Sequence, residues 1–441
     1  MLAFLFALLW QGSQPAIPHH FDQSSWQTLF DGKTTDGWVD KGGRYDGAAR
    51  WTVEDGALVG REGDNHQGGL LYTARPYTNF VFACDAWLSW PFDSGIFVRM
   101  VPNKDGKGAK GAQITLDYHP TGEVGAVYAD GFLLHNDTAK AKWHRDQWNH
   151  LEVRCVGKDF HLEAWLNGEQ ITDYQLPAGS TGYAAAGLIG VQVHGNRSDP
   201  PGCKAMFRNI KLLELPEFDP AQFTLADNGT LTLTPAAQAQ GWRPLFNGRD
   251  LDGWQAHGDP KGYAVRDGML CFPSQVGGTG EIVTRDDFTD FELRLDFKIG
   301  AMANSGVFLR GDRKGGDPAW SGCEVQILDD FHWEAGTKSK LKEWQFTGSL
   351  YGSVAPAQQA LKPIGGWNTY AIRYQGSRLR TVLNGVVLYD VDTLTVPVAY
   401  PEQKAFKDRA KTGFIGLQRH SAPGLQGAEY AWFRNVFVRP L

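Results

Sequence analysis

Phe291-Glu292-Leu293-Arg294-Leu295-Asp296-Phe297-Lys298-Ile299 alternates apolar and polar side chains without a fault. Successive side chains of a strand point to opposite faces, so this stretch reads as a half-buried β-strand. Leu151-Glu152-Val153-Arg154-Cys155 and Tyr370-Ala371-Ile372-Arg373-Tyr374 are shorter versions of the same pattern. Asn167-Gly168 and Asn384-Gly385 supply the positive backbone angles that tight hairpins between such strands require. The chain's 53 Gly and 22 Pro punctuate many short strands. No long segment carries a 3.6-residue amphipathic period, and the best short-helix candidate, Lys338 to Trp344, sits between strands. The class predicted is all-β, in the form of jelly-roll β-sandwiches.

The strand pattern occurs twice. Phe30-Asp31-Gly32 and Asp36-Gly37-Trp38 return as Phe246-Asn247-Gly248 and Asp252-Gly253-Trp254. Ser94-Gly95-Ile96-Phe97-Val98-Arg99 returns as Ser305-Gly306-Val307-Phe308-Leu309-Arg310. Trp148-Asn149, Leu166-Asn167-Gly168, Gln192-Val193-His194 and Phe207-Arg208-Asn209 return as Trp367-Asn368, Leu383-Asn384-Gly385, Gln418-Arg419-His420 and Phe433-Arg434-Asn435. The offset runs from 211 residues at the serines to 226 at the histidines. A period that long marks a duplicated domain, not a solenoid. The expected organisation is a first domain over 26–214, a linker over 215–240 rich in Pro, Ala, Thr and Gln, and a second domain over 241–441.

A chain of 441 residues gives each copy enough length for its own core. The net charge of −6, with no basic run, argues against nucleic acid or an anionic membrane as partner. Aromatic content of 12%, including 16 Trp, leans toward carbohydrate, because exposed indole and phenol rings form flat platforms for sugars. The apolar run Leu2 to Trp10 is too short to span a bilayer. It fits the core of a secretory signal peptide over 1–18, although no Lys or Arg precedes it. Export to the periplasm or beyond is the expectation, and no other segment suits a membrane span. The five cysteines are scattered without a C-x-x-C pair, which argues against a disulfide framework or zinc cluster.

Alternation also selects candidate site residues. Gln418 and His420 share a strand face, as Gln192 and His194 do in the first copy. In Glu324-Val325-Gln326-Ile327-Leu328-Asp329, Glu324 and Gln326 share the face opposite Val325 and Ile327. Arg310, and Arg99 in the first copy, end strands whose apolar residues turn inward. Such groups converging on a groove can bind hydroxyls and transfer protons. Each pattern alone is what an ordinary polar strand surface looks like; recurrence in both copies favours a site. Asp329-Asp330-Phe331-His332 is a candidate for a divalent cation, though its ligand spacing is loose.

Taken in order, Leu-Phe-Asn-Gly, Asp-Gly-Trp, Asn-Ser-Gly-Val-Phe-Leu-Arg, Glu-Val-Gln-Ile-Leu-Asp, Thr-Gly-Ser-Leu-Tyr-Gly, Gly-Trp-Asn, Gly-Phe-Ile-Gly-Leu-Gln-x-His and Phe-Arg-Asn resemble the 3-keto-disaccharide hydrolase domain family. The resemblance covers nearly all of 241–441 and is weaker but still ordered over 26–214. It implies a concanavalin A-like jelly roll that cleaves glycosides oxidised at C3. It further implies a partner oxidoreductase that makes the 3-keto sugar, and no required cofactor. The C3 ketone acidifies the C2 hydrogen. A base removes that proton, the C1 group is expelled, and water adds back or the glycal leaves. By motif, the resemblance implies His420 as base or acid and Glu324 as its acid/base partner. Arg310, Gln326, Gln418 and Tyr351 would bind substrate, with Arg99, Gln192 and His194 in the first copy. There the Glu324 position falls on Ala112 or Gln113, so the second copy is expected to be catalytic and the first to bind sugar or to support it. A lectin-like binding pair is the alternative. An ordinary jelly-roll glycan hydrolase is another, but a strand with two carboxylates on one face is not found.

Overall fold

A computed structural model describes residues 17–23, 26–102, 108–421, 424–425 and 427–441. The expected signal peptide lies almost wholly outside them. The chain divides into two compact units, 1–213 and 214–441. Each is an antiparallel β-sandwich, so the all-β jelly-roll class holds for both copies. Among the described residues no helix is long and apolar enough to cross a membrane.

In the second unit, Phe291–Ile299 is the centre of an eight-stranded sheet, between Glu429–Pro440 and Asn368–Gln375. Phe291, Leu293, Leu295, Phe297 and Ile299 all turn into the core. They face a five-stranded sheet in the order Trp254–His257, Gly280–Thr284, Phe414–His420, Asn304–Gly311, Cys323–Leu328. Val307, Val325, Ile327 and Leu417 close the core from that side. In the first unit the corresponding central strands of the second sheet are Gly69–Thr73, Leu188–Val193, Asp93–Met100 and Ala112–Asp117. The core of that unit is again a single inner layer, with Phe82, Ile96, Ile114 and Val191 among its fully buried members.

The polar face of Phe291–Ile299 is not half exposed, as alternation predicted: Arg294 and Asp296 are buried. The stretch expected to be a linker accounts for this. It forms a hairpin, Phe223–Leu225 with Leu231–Leu233, and a short helix, Pro235–Ala239, capped by Thr234. Phe223, Leu231, Ala237 and Trp242 pack on Phe437 of the outer sheet. Arg294 donates to the Glu217 carbonyl at 2.8 Å and pairs with Asp296 at 2.9 Å, which also accepts from Asn435 and Thr369. Buried charges persist only when paired in this way.

Several recurring motifs are structural. The Trp38 and Trp254 indoles donate to the carbonyls of Leu29 and Leu245, closing the Asp-Gly-Trp turns. Asn149 and Asn368 tie down the loops that enter their strands. The helix anticipated over Lys338 to Trp344 lies earlier, at Trp333–Thr337. Lys338, at φ 60°, is the left-handed residue that ends it.

Candidate active site

The outer face of the five-stranded sheet in the second unit forms the floor of a cavity of about 400 Å³. Glu324, Gln326, Gln418, His420 and Tyr351 all line it. Asn304 and Phe308 complete the floor, and Glu281, Asp317 and Trp320 stand at its sides.

Register explains how the floor is assembled. Phe308 pairs with Glu324, Gly306 with both Gln326 and Gln418, and Asn304 with His420. Glu324 and His420 are therefore four residues apart along the strands and two strands apart across them. That is about 13 Å by about 10 Å between backbones. The Glu324 side chain shortens the gap by leaning over Gly306. A Cβ on Gly306 would overlap Oε1 of Glu324 and come within 2.8 Å of Cδ and 2.9 Å of Cγ. Gly306 thus lets the carboxyl lie over the middle of the floor, one diagonal step from His420. Gly306→Ala is expected to fold, since only the flexible end of one side chain must yield. Activity should fall about 10²-fold as the carboxyl is displaced, by analogy with small misplacements of catalytic groups. Thermal melting and turnover measured on the same sample check this.

The Glu324 carboxyl is 3% exposed. Burial, with the nearby Asp317 adding to it, pushes its pKa well above the ordinary carboxylate range, which favours the protonated form. Asp317 is fixed by capping the short helix Pro318–Ser321, where it accepts from the Ala319 N–H at 2.9 Å. That helix presents Trp320, whose ring lies 6.0 Å from Tyr351 and 5.6 Å from Tyr400. Tyr351 and Tyr400 stack at 6.1 Å. The three rings form an aromatic wall beside the polar floor. Burial, and a hydrogen bond with Tyr400, raise the pKa of the Tyr351 hydroxyl, so it acts as a neutral hydrogen-bonding group.

His420 Nδ1 donates to the Ser421 carbonyl at 2.7 Å. That bond fixes the tautomer and leaves the Nε2 lone pair free to take a proton. Gln326 accepts from the Ile327 N–H through Oε1 at 3.0 Å, leaving its NH₂ as a free donor. Asn304 Oδ1 and Gln418 Oε1 are buried without a hydrogen-bond partner. Unpaired acceptors are rare in folded proteins, and two on one cavity floor indicate a ligand rich in hydroxyls.

Arg310 does not join this site, and neither does Arg99. Each sits at a bulge with a positive φ of 53°, which breaks the alternation and turns the guanidinium away from the floor. Arg310 donates to the carbonyls of Thr289 and Gly376 and to Asp290, and stacks on Tyr374. Arg99 donates to the Thr78 carbonyl and to Asn79. Both clamp loops at the sandwich edge. Gln192 and His194 line a corresponding groove in the first unit.

The Asp329–His332 loop uses its carboxylates internally. Asp329 accepts from the N–H groups of Met302, Phe331 and His332, and from the His332 ring. Asp330 turns to Thr347, and burial raises its pKa to about 7. Among the described residues, the group compact enough to hold an ion is instead His19, His150 and Glu152, within 4.8 Å of one another. There, Glu152 already accepts from the N–H groups of His20 and Phe21 and from Gln23.

Fold and site together define a two-domain jelly-roll protein with a buried carboxyl, a histidine and an aromatic wall around one groove. The profile of the 3-keto-alpha-glucoside-1,2-lyase-like domain matches residues 25–213 and again 241–439. The chain belongs to this family, in two tandem copies. It is 28% identical over 242 residues to a 3-keto-disaccharide hydrolase of Bacteroides thetaiotaomicron, spanning 46% of this chain and 79% of that protein. Two crystal structures from Parabacteroides distasonis, each described as a "putative glycosyl hydrolase", align at 29% and 30% identity. They cover 48% and 45% of this chain and 98% and 99% of those proteins, with TM-scores of 0.40 and 0.38.

Proposed function

We propose that this protein is a carbohydrate hydrolase whose second domain cleaves 3-keto-glycosides by elimination and hydration. The observation that carries this reading is that one groove floor holds both a buried carboxyl, Glu324, whose neutral form burial favours, and a histidine, His420, whose Nε2 is free. His420 Nε2 takes the C2 proton, and the C2–H electron pair forms the C1=C2 bond. The C1–O bond breaks, and the leaving oxygen takes the Glu324 proton. Water then adds across the double bond, its oxygen to C1 and a proton to C2. The Gln326 NH₂ is suited to the C3 oxygen, where charge develops, and Asn304 and Gln418 accept from sugar hydroxyls. Arg310 takes no part.

On this reading the ketone must be made beforehand by an oxidoreductase acting on the C3 hydroxyl. The apolar run at Leu2–Trp10 would direct the protein out of the cytoplasm. The purified protein is expected to release aglycone from a 3-keto-glucoside and not from the unoxidised parent. Release from neither, together with saturable sugar binding, would favour the lectin-like alternative. Equal release from both would point to conventional hydrolysis.

A further inference from the structure

The groove of the first unit has the same floor plan with its carboxyl moved. Phe97 pairs with Gln113 just as Phe308 pairs with Glu324, so Gln113, not Ala112, holds the Glu324 position. Gln113 lies over Gly95, where an added Cβ would come within 2.8 Å of its Cγ, and it donates to Gln192 at 3.0 Å. No proton-exchanging group stands there. The Asn304 position, however, is Asp93. In the second unit Asn304 lies directly across from His420. In the first, the His194 N–H donates to the Asp93 carbonyl, and His194 Nδ1 lies 3.6 Å from Asp93 Oδ2. Carboxyl and amide have exchanged places, and the carboxyl now adjoins the histidine.

We propose that the first domain is a second glycoside-cleaving site, with Asp93 as its acid and His194 as its base. The proposal rests on the elimination chemistry assigned to the second domain. The groups facing Asp93 support its role. Asp117 pairs with it from the adjacent strand. His119 bridges Asp117 and Asp199 at 2.6 and 2.7 Å and is held as a clamp. Burial first, then Asp117 and Asp199, with His119 opposing, raise the Asp93 carboxyl to about 7, so a large share is protonated at neutral pH. The steps balance as before. The C2 proton goes to His194, the expelled oxygen takes the proton of Asp93, and water restores both groups.

The substrate should differ in its aglycone. This cavity is about 630 Å³, against about 400 Å³ in the second unit. Its walls carry Tyr45, Tyr128 and Phe132, the last of which is 48% exposed. An exposed ring over a polar floor suits a second sugar or an aryl group, so 3-keto-glycosides with bulky aglycones are the class it would take.

The test uses the full chain with Glu324→Gln and His420→Ala combined, assayed on an aryl 3-keto-glucoside and on a 3-keto-disaccharide. Release at least 10-fold above the buffer blank is expected to survive. Adding Asp93→Asn should remove at least nine-tenths of the release from the 3-keto-disaccharide, whose leaving oxygen needs a proton, and adding His194→Gln instead should remove as much from both substrates. The alkaline fall of the surviving activity, centred near pH 7, should be absent from what remains after Asp93→Asn. An active wild type whose double variant is no faster than buffer overturns this proposal and leaves the second-domain reading standing. Survival of the residual activity on the 3-keto-disaccharide through Asp93→Asn overturns it too. A wild type inert on every 3-keto-glycoside overturns both.

Discussion

Replacing Glu324 by glutamine is expected to slow second-domain cleavage of 3-keto-glycosides with alkoxide leaving groups by about 10²–10⁴-fold. The amide keeps the shape that Gly306 accommodates but has no proton to give. Folding should not suffer, because the change removes a carboxyl whose charged form burial disfavours. Two readouts separate a proton donor from a mere filler. A p-nitrophenyl 3-keto-glucoside, whose leaving group departs without a proton, should lose far less rate. The pH profile should also change. The carboxyl acts in its protonated form and its pKa is raised, so wild-type rates are expected to fall as pH rises through that raised value. The variant should lack this alkaline limb. Equal losses on both leaving groups, with the limb intact, would remove Glu324 from the role of acid. If the first domain contributes its own turnover, the measurement is made in the His194→Gln background.

In a His194→Gln background, which removes the base proposed for the first domain, His420→Ala is expected to cost a similar 10²–10⁴-fold, independent of leaving group. Its signature is the C2 hydrogen. In D₂O, the wild type should exchange C2–H of a bound 3-keto sugar for deuterium, and the variant should not. Added imidazole should restore part of the rate, since the space left by the side chain lies beside the groove. Near-full cleavage by His420→Ala would falsify the assignment.

Part of this site is legible in the amino-acid order. Alternation along Glu324–Leu328 and Leu417–His420 places Glu324, Gln326, Gln418 and His420 on one face, and that is where they stand. The same reasoning applied to Asn304-Ser305-Gly306-Val307-Phe308 adds Asn304, which shares its face with Gly306 and Phe308. Asp317 and Trp320 carry only a faint sign, the Asp-Pro pair that starts a short capped helix. Glu281 neighbours the core residue Ile282 in Gly280–Thr284, so alternation puts it on the outer face too, and pairing with Gln418 brings it to this groove. Arg310 and Arg99 mislead because alternation assumes an unbroken strand. A non-glycine residue at φ 53° breaks it, and nothing in the local sequence announces that.

The duplication, the all-β class and the face on which each residue of an unbroken strand lies follow from the order of amino acids alone. These are local matters: a pleated backbone alternates its side chains wherever it runs. Which faces meet in a groove is set by the folded chain, as is the covering of Arg294 and Asp296 by the 215–240 stretch. So is the contrast between Glu324, whose pKa burial raises, and its counterpart in the first domain, an amide with an acid two rows away. Burial and protonation depend on distant segments brought together, such as Asp317 beside Glu324, and no local pattern encodes that sum.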